Sequence, residues 1–225
     1  VIYACAVNFD DRPIYNGVFL NSDDEFLNIV ACDGKRIAWN KIKFDGEVSA
    51  IIHKNIIQKL ISMDPKGKIS FLQSSNKIEI IVGKYIFDCP LLNGMFMDYK
   101  SIIKSSGYNT SFIVNKSELS SCINRSMLLN HSGVNLYETD ENDKEILKIS
   151  CKSADVDFEE TVEILDNKAD FKFKINSKNL LEAIKNYPSD DIEIFFKDSK
   201  SGIILKEDNT ELIAFILPVI IKEGE

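Results

Sequence analysis

Ala31-Cys32-Asp33-Gly34-Lys35-Arg36-Ile37-Ala38 follows the run Phe26-Leu27-Asn28-Ile29-Val30. Apolar residues alternating in this way line one face of a strand. Asp33-Gly34 ends that strand, because glycine enters the positive-φ region of a tight turn without steric cost. The turn is expected to present Lys35 and Arg36 and to lead into a third strand from Arg36. Its company sets it apart from an ordinary charged hairpin. Upstream stands Arg12-Pro13-Ile14-Tyr15-Asn16-Gly17-Val18-Phe19-Leu20. Downstream stand Leu91-Leu92-Asn93-Gly94-Met95-Phe96-Met97-Asp98-Tyr99 and, near the far end, Phe215-Ile216-Leu217-Pro218-Val219.

Outward from the turn, residues 1–7 are apolar and suit either strand or helix, and Pro13 ends the segment. Residues 18–20 and 26–30 read as paired strands around an acidic turn. Trp39, the only tryptophan, reads as core or partly buried packing rather than a ligand platform. Residues 54–63 form a helix with Ile56, Ile57, Leu60 and Ile61 on one face, stopped at Asp64-Pro65. Strands at 69–72, 78–82 and 85–88 follow. Ser105-Ser106-Gly107-Tyr108-Asn109-Thr110 is polar and reads as a linker.

Then the pattern restarts. Residues 116–129 form a helix with Leu119, Ile123 and Met127 at helical spacing. Strands are expected at 134–137, 146–151 and 158–164, the first two joined by an acidic turn over 140–143. Asn176 caps a second helix that carries Leu180, Leu181 and Ile184 inward and stops at Pro188. Strands at 192–196, 203–205 and 212–217 close the chain. Lys54-Asn55-Ile56-Ile57-Gln58-Lys59-Leu60 matches Lys178-Asn179-Leu180-Leu181-Glu182-Ala183-Ile184 at an offset of 124, and Gly17-Val18-Phe19-Leu20 matches Gly133-Val134-Asn135-Leu136 at an offset of 116. Offsets that agree in order and drift with loop length mark a repeat. The fold class is therefore α+β: two tandem copies of one domain, over residues 1–106 and 107–225. Each copy is read as helix, three strands, helix, three strands, with two helices packed on antiparallel sheets.

The chain has 225 residues, 44% of them hydrophobic and 28% charged, which supplies a core without metals or disulfides. Its net charge of −8 argues against a simple basic nucleic-acid binder, yet leaves room for a local basic face. The five cysteines include no Cys-x-x-Cys, so buried reduced thiols in a cytoplasmic protein are expected, with no disulfide framework and no zinc. No apolar run is long enough to span a bilayer. The start at Val1, directly in an apolar segment, reads as a fragment of something longer.

Catalytic constellations are not found. His53 and His131 stand far apart and read as surface or capping residues. No Walker loop, dinucleotide fingerprint, nucleophile elbow or zinc-protease motif occurs. The acidic runs lack calcium-loop spacing. The expectation is no catalysis and no cofactor. The helices instead carry Lys54, Lys59, Lys116, Arg125, Lys178 and Lys185. If the helices line one surface, that surface suits sequence-independent contact with phosphates.

The four quoted segments, in that order and spacing, resemble the bacterial DNA polymerase III β subunit, the sliding clamp. That family reads R-P-x-L-N-G-V, A-T-D-G-H-R-L-A, L-(I/V)-x-G-x-F-P-D-Y and a terminal M-P-(V/I/M). The resemblance covers nearly the whole chain as the family's middle and last domains. It implies the DNA clamp fold and a processivity factor that encircles double-stranded DNA without sequence choice, as a head-to-tail homodimeric ring at full length. The fragment alone would be monomeric. It also implies a hydrophobic cleft between the two domains that takes Gln-Leu-x-Leu-Phe-like peptides of polymerase, clamp loader and repair proteins. The matching positions are Tyr15, Cys32, Gly34, Lys35, Arg36, Ile37, Met97, Ser101, Ile102, Asn176, Asn179, Phe215, Ile216, Leu217, Pro218 and Val219. The DNA-facing set is Arg12 with the six helix cations. Tyr15, Cys32, Lys35, Met97, Ser101 and Leu217 depart from the common pattern, while the pocket stays apolar. A stand-alone peptide-binding adaptor without a DNA role is the alternative.

Overall fold

In the computed structural model, residues 1–225 are described except 8, 24, 106, 130–132, 142–143, 153–155, 168–170 and 220–225. The chain forms two compact units, Val1–Asp98 and Tyr99–Glu225. The division falls eight residues ahead of the boundary read at 106/107, because a short helix, α2 (Tyr99–Ser105), belongs to the second unit.

The first unit opens with 3-10 turns at Ile2–Ala4 and Pro13–Asn16. β1 (Gly17–Ser22), β2 (Phe26–Cys32), β3 (Arg36–Lys43) and β4 (Ser49–His53) form an antiparallel sheet in the order β3-β2-β1-β4. α1 (Lys54–Met63) follows, then a three-stranded sheet of β5 (Ile69–Gln73), β6 (Lys77–Val82) and β7 (Tyr85–Pro90). The core lies between the sheets, with Val18, Leu27, Ala38, Ile52, Ile78 and Val82 inward. The His53 imidazole accepts the Asn55 N–H and caps α1. Asp64, with φ of 42°, closes the helix in the left-handed conformation. Trp39 is partly buried, and its indole N–H donates to Asn28 at 3.0 Å.

The second unit runs α2, β8 (Thr110–Asn115), α3 (Lys116–Leu129), β9 (Val134–Glu141), β10 (Lys144–Lys152), β11 (Asp157–Asn167), β12 (Lys172–Ile175), α4 (Ser177–Ile184), β13 (Asp191–Phe196), β14 (Ile203–Lys206) and β15 (Ile213–Ile216). Its strands lie in the order β12-β9-β10-β11-β8-β13-β14-β15, all neighbours antiparallel. The Asn115 side-chain oxygen accepts the N–H groups of Ser117 and Glu118, and that of Asn176 accepts the N–H of Asn179, so α3 and α4 each start on an asparagine cap. Phe112, with no exposed surface, packs against Phe171, Phe173 and Phe196.

The repeat is visible in this order. β1–β4, α1 and β5–β7 correspond to β9–β12, α4 and β13–β15. Two glycines mark equivalent crossings. A Cβ on Gly17 would stand 2.9 Å from the Ile52 carbonyl oxygen, and one on Gly133 2.6 Å from that of Ile175. In both, the start of the repeat's first strand, β1 or β9, passes too close to the strand before the helix, β4 or β12, for any side chain.

Four differences from the sequence expectations have physical causes. Each copy has four strands before its second helix, not three, since β4 and β12 run into α1 and α4 without a turn. β8 precedes α3. Residues 1–7 hold only a 3-10 turn. The two copies also treat their matching helices differently: α4 buries Leu180, Leu181, Ala183 and Ile184, whereas no residue of α1 is fully buried. α3 packs on α4 in the second unit. In the first, the apolar face of α1 borders a cavity of about 500 Å³, lined among others by Ile57, Leu60, Ile61, Ile69, Phe71 and Ile80.

Candidate functional site

The diagnostic turn is built by Asp33. One carboxylate oxygen accepts the N–H groups of Lys35 and Arg36 at 2.9 and 3.0 Å, and the other takes the Arg36 Nε–H at 2.9 Å. Gly34 sits at φ of 85°, and its N–H donates to the Cys32 sulfur at 3.1 Å. The structure corrects the expectation for Arg36. Lys35 is exposed, but Arg36 is only 7% exposed: its guanidinium donates to the Tyr3 carbonyl at 2.6 Å and lies over the Tyr3 ring. A charge held by a carboxylate and a carbonyl is stable in a buried site. Arg36 thus ties the turn to the first residues of the chain.

Cys32 and Ile37 flank this turn and are buried. Tyr15, 5% exposed, stacks on Phe9 and meets Phe96 edge-on, each at 6.2 Å, and its hydroxyl accepts from Arg12 at 3.4 Å. Met97 lies half-buried just before α2. These are the expected cleft positions of the first unit. The second unit holds the others. Ser101 and Ile102 lie on α2. Asn176 and Asn179 form the cap of α4. Phe215 and Ile216 are buried in β15, followed by exposed Leu217 and half-buried Pro218 and Val219. The Val219 N–H donates to the Lys174 carbonyl at 2.7 Å, so Val219 lies against the outer edge of β12. Pro218 and Val219 line a hollow of about 540 Å³ with Lys172, Phe173, Lys174, Ser199 and Lys200. Those five escaped sequence reasoning, because strand register rather than a local motif gathers them.

The expected DNA-facing cations divide into two groups. Lys59 and Lys178 are exposed on α1 and α4 and Lys185 directly after α4, Lys178 lying 4.0 Å from Glu182. Others are committed to structure. The Lys54 ammonium donates to the Ala6 carbonyl at 2.7 Å and that of Lys116 to the Tyr187 carbonyl at 2.8 Å. Arg125 grips Glu160 with two hydrogen bonds, which hold the Glu160 carboxyl below its ordinary range. Arg12 is exposed beside Tyr15. His53 is the α1 cap, while His131, the middle of the acidic turn over 140–143 and the tail from 220 lie outside the described residues.

All five cysteines are free and buried. Burial pushes the Cys5 and Cys32 thiols up to about 11 and Cys122 up to about 12, from an ordinary 9.0. A folded-state pKa above the unfolded one stabilises the fold fully below the unfolded value, and the contribution is lost as pH rises through the folded value. The urea midpoint should therefore hold steady up to pH 9 and fall between pH 9 and 11. Iodoacetamide should label no thiol at pH 8 before unfolding, and rapid labelling of the native chain would contradict this.

These units, each of helices packed on antiparallel sheets, define a protein built from tandem clamp-type domains. The sliding clamp of Pseudomonas aeruginosa superposes with a TM-score of 0.88 at 20% identity, over 98% of this chain and 62% of that one. A structure of the clamp from the same organism bound to griselimycin gives 0.88 at 21% identity, over 98% and 61%. The sequence profile of the DNA polymerase III beta subunit, central domain, matches residues 2–98, and that of its N-terminal domain matches residues 111–220. The chain belongs to this family, the bacterial sliding clamps. The beta sliding clamp of Buchnera aphidicola subsp. Rhopalosiphum padi is 28% identical over 216 residues, or 94% of this chain and 59% of that protein. The chain thus spans about 59% of the length of this curated relative.

Proposed function

We propose that this chain supplies the middle and last domains of a replication processivity factor. In the full head-to-tail homodimeric ring it encircles double-stranded DNA and tethers polymerase, clamp loader and repair proteins, with no catalysis of its own. The observation that carries the reading is family membership across both units, joined to the apolar segment Leu217-Pro218-Val219 beside a hollow. The solved clamp holding griselimycin supports a ligand-binding surface in the family. The sixteen cleft positions named from the resemblance, Tyr15 through Val219, are its peptide-binding residues. Lys59 and Lys178, exposed on their helices, and Lys185, exposed at the end of α4, are the cations best placed to slide over phosphates, which carry no base information.

Fluorescence anisotropy of labelled Gln-Leu-Ser-Leu-Phe tests the peptide site. Saturable binding is expected, abolished when both leucines and the phenylalanine become alanine, and weakened about tenfold by Leu217→Ala, the loss of one apolar anchor. Absence of saturable binding would overturn the cleft assignment.

A further inference from the structure

The hollow beside Pro218 carries more information than an apolar pocket. Among the described residues its lining holds three lysines, Lys172, Lys174 and Lys200, and no carboxylate, in a chain whose net charge is −8. Asp198, near in sequence, is spent on its own turn, accepting the N–H groups of Lys200 and Ser201 at 2.9 and 2.7 Å. The ion-paired lysines of this unit lie elsewhere: Lys148 with Glu159, Lys152 with Asp157 and Lys178 with Glu182. Among the described residues none of the three is so paired. Lys172 lies 5.6 Å from the Tyr137 ring, a contact that orients the ammonium without neutralising it. Beside the lysines, Pro218 and Val219 supply an apolar wall, while the Phe173 ring turns into the core.

We infer that this hollow is an acid-selecting subsite: it takes an extended peptide that sets an apolar side chain against Pro218 and Val219 and a carboxylate among Lys172, Lys174 and Lys200. The inference rests on the peptide-binding reading above and names the chemistry of the partner. β12 is the outer strand of its unit's sheet and already pairs once along that edge, through the Val219 N–H. Such an edge favours an extended occupant. The apolar wall favours a peptide over DNA, whose phosphates have no group to fill it. Charge complementarity then sets specificity and on-rate more than raw affinity.

The test compares two labelled peptides, Gln-Leu-Ser-Leu-Phe flanked at both ends by aspartate and the same peptide flanked by asparagine. The acidic peptide should bind about fivefold more tightly at about 50 mM salt, as a few exposed pairs allow. The advantage should vanish in the Lys172→Glu, Lys200→Glu double variant and at about 0.5 M salt. It should persist in Lys206→Glu, an exposed lysine of β14 outside the hollow. Equal affinities for both peptides would sink the acid-selecting subsite while leaving the peptide site standing. No saturation with either would remove the peptide reading itself, and this inference with it. Displacement of the acidic peptide by duplex DNA that itself needs Lys172 and Lys200 would assign the lysines to phosphate and overturn the proposal.

Discussion

Ile184→Ala will destabilise the second unit by about 3 kcal/mol, whereas Leu60→Ala, at the matching place in the repeat, will cost the first unit about 1 kcal/mol. From sequence the two substitutions look equivalent, for both remove an aliphatic side chain from the inward face of an asparagine- or histidine-capped helix. The surroundings differ. Ile184 has no exposed surface and lies on α4, which packs against α3. Truncation there leaves a closed void whose lining loses its contacts. Leu60 is half-buried and already borders a hollow of about 500 Å³. Removing it widens an opening and forfeits less packing. Trp39, in the first unit, reports unfolding there by fluorescence. Hydrogen exchange along α4 reports the second unit. Equal losses at the two positions would mean that the α1 face is as well packed in solution as that of α4, contradicting the asymmetry.

This pair also shows what the amino-acid order reveals and what it hides. Periodicity, caps and stops are local, so α1, α3, α4 and the three closing strands of each copy were legible, and with them the repeat. β4 and β12 were hidden because Ile52-His53-Lys54 and Ile175-Asn176-Ser177 pass from strand to helix without glycine or proline, the residues that punctuate a chain. α2 was hidden because seven residues give too few turns to establish a period. Charged side chains default to the surface, a prior that fails at Arg36, where tertiary partners outweigh the cost of burial. It fails in part at Lys54 and Lys116. Each begins a helix, where a cation opposes the macrodipole, yet its ammonium reaches back to a carbonyl outside the helix. The Phe215–Val219 segment was legible by resemblance. Lys172, Lys174 and Lys200 were not, since β12, the turn before β14 and the segment after β15 meet only through tertiary packing.

Gly202→Ala should cost the second unit about 2–3 kcal/mol, through overpacking rather than lost contacts. A Cβ at Gly202 would stand 2.1 Å from Cε2 and 2.4 Å from Cζ of Phe215. Phe215 is only 4% exposed, and its backbone is held opposite Ile204 by the β14–β15 ladder. The ring cannot swing into solvent without vacating the core, and the glycine backbone cannot retreat freely. It follows a turn that Asp198 fixes with two backbone hydrogen bonds. The strain therefore passes along β15 into Leu217, Pro218 and Val219, so the same substitution should weaken the peptide affinity proposed for that segment by about tenfold, roughly 1.4 kcal/mol. Phe215→Leu separates the steric explanation from a general loss of folding. Alone it should cost about 1–2 kcal/mol by leaving space above Gly202. Combined with Gly202→Ala it should fill that space, so that the double variant is more stable than the sum of the two losses predicts by at least about 1 kcal/mol. Urea midpoints measured in the second unit for the four species complete the cycle. Strict additivity would show that Gly202 and Phe215 do not meet as described, whereas recovery of both stability and peptide binding in the double variant would place the bare face of Gly202 among the determinants of the binding segment.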